Sequence, residues 1–152
     1  MKNFTHDELK QRLESLNEFE YQGSHSDLEI KEAESVLNLR LPESFKDYLK
    51  AWGNIAIGPI EILGLTKTPN FINAEYPNFV WFTLKKRSND QLPKELVVFH
   101  SVNNEFLYCI NCSKPLSNGE CVITVWNNLD KIVEQEYHVG FNNFILGILE
   151  DE

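Results

Sequence analysis

The chain has 152 residues, 42% of them hydrophobic and 24% charged, and its 14 Lys and Arg against 23 Asp and Glu give a net charge of −9. That length suits one domain with its own core, and 10 Phe, 5 Tyr and 3 Trp exclude disorder as the main state. No apolar run reaches the ~18 residues of a membrane span, and the acidic excess repels phosphates, which argues against direct nucleic-acid binding.

The acidity is spread along the chain. Residues 1–76 carry 8 basic and 13 acidic side chains, and the remainder carries 6 and 10. Such a field keeps a protein soluble and also steers basic partners toward it. The start, Met1-Lys2-Asn3-Phe4-Thr5-His6, turns polar at once, the expectation for a chain without a signal peptide. Cys109, Cys112 and Cys121 form an odd set, which fits the reducing cytoplasm.

The first predicted helix begins at Thr5. Thr5-His6-Asp7-Glu8 has the capping-box pattern, and Leu9, Leu13 and Leu16 share one helical face. Gly23-Ser24 ends that segment. Ser26-Asp27-Leu28-Glu29 opens a second helix with Ile30, Ala33 and Leu37 as its apolar stripe. Leu39-Arg40-Leu41-Pro42 reads as a short extended link, with Pro42 as the first residue of a third helix. Phe45, Tyr48, Leu49 and Trp52 form its buried face, and Gly53-Asn54 its stop.

Strand signals follow. Ile55-Ala56-Ile57 and Ile60-Glu61-Ile62-Leu63 flank a Gly58-Pro59 turn. Between Pro69 and Arg87 the pattern is mixed. Phe79-Val80-Trp81-Phe82 also suits a strand, but segment length favours a helix over 78–88 opened by Pro77. Leu96–Phe99, Phe106–Ile110 and Cys121–Trp126 are β-branched and aromatic strands, bounded by Asn103-Asn104 and Ser117-Asn118-Gly119. Phe141, Phe144, Ile145 and Ile148 mark a last helix. Gly147 inside it costs about 1 kcal/mol against Ala, so a packing reason is expected. Helices, then strands, then a helix make an α+β domain.

No catalytic set emerges. Cys109-Ile110-Asn111-Cys112 with Cys121 and either His100 or His138 could ligate zinc, but the spacing is unusual and free buried thiols are the simpler reading. A His100–Ser101 or Cys109–His138 pairing lacks an orienting third group. Phosphate loops are absent, and Lys85-Lys86-Arg87 suits a helix C-terminus. Glu18 and Glu20, Glu134 and Glu136, and Glu150-Asp151-Glu152 are paired acids without a catalytic frame. Glu134 and Glu136 would share one face of a strand. Composition and spacing therefore favour a binding protein over an enzyme.

Several pieces, in order, resemble the SUKH superfamily, in the manner of its YobK-like bacterial members. They are Ile30, Ala33-Glu34 and Leu37; Leu41-Pro42-Glu43-Ser44-Phe45 with Leu49; Gly53-Asn54; and Leu63-Gly64-Leu65. Later come Leu92-Pro93, Leu96–Phe99, Tyr108-Cys109, Gly119-Glu120, Val122, Trp126, Phe141, Phe144 and Ile145. The likeness spans about residues 27–149 of a single domain over 1–152, with an N-terminal helix before it. The chain departs from the family in having Gly53-Asn54 where Asn-Gly is common, and Asn103-Asn104 where Gly and Asp are common. It also has Asn111 near a common Asp.

The resemblance implies a mixed or antiparallel sheet flanked by helices, two to three of them N-terminal and one C-terminal. It also implies an immunity protein that neutralises a cognate nuclease toxin, perhaps an RNase, or, as in fungal relatives linked to cell-wall synthesis, a regulatory adaptor. It implies no catalytic residue, cofactor or metal. An acidic inhibitor would meet the toxin's basic cleft. Glu61, Glu105, Asp130, Glu134 and Glu136 are the expected contacts, with Trp81 as an anchor. They lie on or beside predicted strands or in the loop after Trp126. A homodimer is compatible with the same composition.

Overall fold

The computed structural model describes residues 2–67, 71 and 74–150. Pro69 and the acids Asp151 and Glu152 lie outside the described residues. The described chain is α+β, with five helices and seven strands.

Helix α1 (His6–Glu14) starts at the expected capping box. The Thr5 hydroxyl accepts from the Glu8 N–H at 3.1 Å, and the Glu8 carboxylate accepts from the Thr5 N–H at 3.2 Å. Strand β1 (Phe19–Tyr21) follows, then α2 (Asp27–Leu37), capped the same way by Ser26. Helix α3 (Glu43–Trp52) has Pro42 as its N-cap rather than its first residue, because Pro42 is extended, at ψ 155°. Strands β2 (Ile55–Ile57) and β3 (Ile60–Ile62) form the expected hairpin.

Helix α4 (Phe79–Asp90) is capped by Asn78, whose side chain accepts from the Val80 and Trp81 N–H groups, both at 3.0 Å. Pro77 therefore precedes the cap and does not open the helix. Strands β4 (Leu96–Val102), β5 (Phe106–Pro115), β6 (Cys121–Asn127) and β7 (Ile132–Tyr137) form a four-stranded meander, and α5 (Gly140–Glu150) closes the chain. Among the described residues the named strands pair antiparallel, and the one parallel contact is the isolated bridge from Gly64 to Asn78.

The two sheets meet at β3 and β4. The Leu63 N–H donates to the Phe99 carbonyl at 2.7 Å, and the His100 Nδ1–H donates to the Glu61 carbonyl at 2.8 Å. Behind this seam sits an aromatic core. Phe45 of α3 meets Phe79 of α4 edge-on and Phe141 of α5 edge-on, both at 5.1 Å. Phe99 of β4 meets Phe141 at 5.3 Å. All four rings are fully or almost fully buried, and each contributes about 1.5–3 kcal/mol by leaving water. Tyr48 joins them without an orphaned polar atom, because its hydroxyl donates to the Ile62 carbonyl at 2.8 Å. The core thus fastens three helices to the seam and leaves the far end of the meander to solvent.

Gly147 corrects an expectation. A Cβ there would meet nothing within 4 Å. No internal contact explains this glycine.

Candidate protein-interaction surface

The exposed end of the meander is built by two turns. Asn103 and Asn104 both adopt positive φ, 54° and 58°, which Asn tolerates in a tight hairpin. In the β6–β7 turn the Asn127 side chain accepts from the Leu129 N–H at 3.0 Å and from the Asp130 N–H at 2.9 Å. The turns are tied together, since the Asn128 N–H donates to the Glu105 carbonyl at 2.7 Å. Asparagines thus satisfy the backbone here and leave the aliphatic residues outside.

Those aliphatic residues are Val102, Leu129, Ile132 and Val133, exposed by 38%, 68%, 49% and 50%. Register places Val102 beside Phe106, Phe106 beside Asn127, and Asn127 beside Ile132. The result is a row across the end of the sheet in which Val102, Phe106 and Ile132 share one face with the buried Asn127 between Phe106 and Ile132. Val133, beside Trp126, points to the opposite face, and Leu129 lies in the turn. Sequence reasoning missed these four. A Leu inside the polar turn Asn127-Asn128-Leu129-Asp130 was the available signal.

Three of the expected acids border this row. Glu105 is half-buried at the first turn, Asp130 is exposed at the second, and Glu134 is exposed on the edge strand β7. Glu136 lies farther along β7 and is neutralised by Lys114 at 2.7 Å. Register pairs Gln135 with Val125 and Val133 with Trp126, so Glu134 is an extra, bulged residue. The bulge breaks the simple alternation expected for Glu134 and Glu136. Glu61 and Trp81 do not join the row. Glu61 is exposed on β3, and Trp81 is half-buried on α4 with the Lys85 ammonium 4.9 Å from its ring centre.

A second feature is a groove of about 590 Å³ between α5 and the sheet. Four rings line it in a row. His100 lies 5.5 Å from Tyr108, Tyr108 5.5 Å from Phe144, and Phe144 5.4 Å from Tyr137. Ile60, Gly147, Ile148 and Glu150 are among the other lining residues. Burial pushes the His100 imidazole below its usual range, opposed by its bond to the Glu61 carbonyl. His100 is therefore neutral at pH 7.

The cysteines form no centre. Cys109 is fully buried, and burial drives its thiol far up; Cys112, raised by burial and by nearby Cys121, is pushed up to about 12. Thiols held protonated are poor nucleophiles and poor ligands. Among the described residues, no group of three or more His, Cys, Asp and Glu side chains could hold a metal ion. His138, the other candidate ligand, is exposed beyond β7, and the Ser101 hydroxyl accepts from the Asn104 N–H at 3.2 Å. No described helix is long and apolar enough to cross a membrane.

A family model, SUKH_5, described as SMI1-KNR4 cell-wall, matches residues 6–150. The chain belongs to the SUKH family. The match starts at His6, so α1 lies inside the matched stretch. A SUKH domain is in general a non-enzymatic immunity or regulatory protein that works by binding other proteins. Among solved structures, the chain is similar to one described as "Crystal structure of protein from Pseudomonas syringae pv. tomato". That likeness has a TM-score of 0.63 at 18% identity over 86% of this chain and 89% of that one, and it shows a shared fold. No curated protein matches.

Proposed function

We propose that this SUKH protein is an immunity protein that binds a cognate nuclease toxin, an RNase in the simplest case, and occludes its basic active-site region. The observation that carries this is the exposure of Val102, Leu129 and Ile132 at the end of the sheet, with Glu105, Asp130 and Glu134 beside them in sequence and strand order, on a chain of net charge −9. An apolar centre with a charged rim is the usual anatomy of a protein interface. A nuclease cleft carries Lys and Arg for phosphate, so the acids speed encounter and the exposed aliphatic residues hold the complex. Glu61, Trp81 and Glu136 stand outside this patch and serve at most as its periphery.

Titration of the purified toxin domain with this chain tests the reading. Tight binding that weakens with salt, and weakens further in the Glu105→Lys, Asp130→Lys, Glu134→Lys triple variant, is the expected result. Unchanged affinity in the triple variant would sink the patch.

A regulatory adaptor is the second reading, favoured by the cell-wall description of the matching family. A partner that is not toxic on its own would select it.

A further inference from the structure

We infer that the groove between α5 and the four-stranded sheet receives an arginine side chain presented by a protein partner. This rests on the reading that the chain binds a basic protein.

The walls suit a guanidinium. Tyr108, Phe144 and Tyr137 offer three ring faces and edges within one row, 5.5 Å and 5.4 Å apart. A planar cation stacks on such rings, which attract it through their quadrupoles. Tyr108 and Tyr137 carry phenol oxygens of the kind that accept from its N–H groups, and the acidic Glu150 is among the lining residues.

The charge points the same way. The described lining contains neither Lys nor Arg, and Glu150 is its only formal charge because His100 is neutral. An anion is repelled there, and the lining itself supplies no cation.

Gly147 supplies a separate argument. It lines the groove, and a Cβ on it would meet no atom of the protein within 4 Å. Glycine inside a helix is costly. Here the missing side chain keeps the floor of the groove open. The wall beside it is already rigid, since Asn143 accepts from the Phe4 N–H at 2.9 Å and donates to the Lys2 carbonyl at 2.7 Å.

The test is an NMR titration of the full chain with the peptide acetyl-Gly-Arg-Gly-amide. Peptides with citrulline or Phe in place of Arg are run beside it. The arginine peptide should shift the amides of Asn143, Gly147 and Ile148 and the rings of Tyr108 and Tyr137, with saturation in the millimolar range. Glu150→Gln should weaken it by about threefold, the weight of one exposed charge pair. Gly147→Leu, which favours the helix while filling the groove, should abolish the shifts in a folded protein. Absence of shifts with the wild-type chain, equal binding of the citrulline peptide, or preference for Phe would overturn the proposal. No toxin enters this titration, so its failure removes the groove alone, whereas failure to bind any toxin removes the immunity reading.

Discussion

Gly64 lies so close to Gly53 that a Cβ on Gly64 would sit 1.7 Å from the Gly53 carbonyl oxygen. The two backbones are also bonded around this point, since the Leu65 N–H donates to the Gly53 carbonyl at 2.9 Å. Gly53 ends α3 at φ 75°, and Gly64 follows β3 and receives the start of α4, its carbonyl accepting from the Phe79 N–H at 2.8 Å. This contact holds the end of α3 against the chain that leaves β3. Gly64→Ala has only backbone to push against. It should destabilise the fold by about 3 kcal/mol, the upper end of the usual cost of overpacking. Chemical denaturation measures the loss, and a loss below about 1 kcal/mol would mean that the contact yields easily.

Gly147 should behave in the opposite way. With open space around it, Gly147→Ala gains helix propensity and meets no clash. The expected change is a stabilisation of about 1 kcal/mol in chemical denaturation. A destabilisation would reveal an internal contact.

Much of the fold was legible in local patterns. Both capping boxes stand where Thr5 and Ser26 announced them, because these bonds close within four residues. Asn103-Asn104 forms its turn for the same local reason. Strand β1 was not legible: Phe19–Tyr21 is three residues long and is held by pairing with β2 across the chain. The α4 cap was misassigned because Pro77 and Asn78 are both good starts, and the bonds made by the Asn78 side chain decide between them. At the surface, Glu105, Asp130 and Glu134 were visible as acids near strands. Their apolar centre was not, since exposure of Leu129 and Ile132 depends on which strand ends the sheet.

His100 links stability to pH. Burial lowers its folded proton affinity below that of the unfolded chain. Its contribution is therefore complete above the unfolded value of about 6.5. It is lost as pH falls from there through the lower folded value. The stability gap between wild type and His100→Gln should shrink as pH drops across that window. A constant gap would show that His100 titrates normally.

The thiols should be slow to react. Burial raises Cys109 and Cys112 far above neutral pH and raises Cys121 as well, with Glu120 adding to the effect. Alkylation of the native protein at pH 8 should lag far behind alkylation in denaturant, where all three thiols label at the ordinary rate. Rapid labelling of Cys109 in the native protein would contradict its burial.

Growth rescue tests the central claim most directly. The domain encoded by the neighbouring gene is expressed alone, with this chain, and with the Glu105→Lys, Asp130→Lys, Glu134→Lys variant. The account predicts arrest by the domain alone, recovery with the wild-type chain through a complex that can be isolated, and arrest again with the folded variant. Recovery by the variant equal to wild type, or no recovery by the wild-type chain, would contradict it.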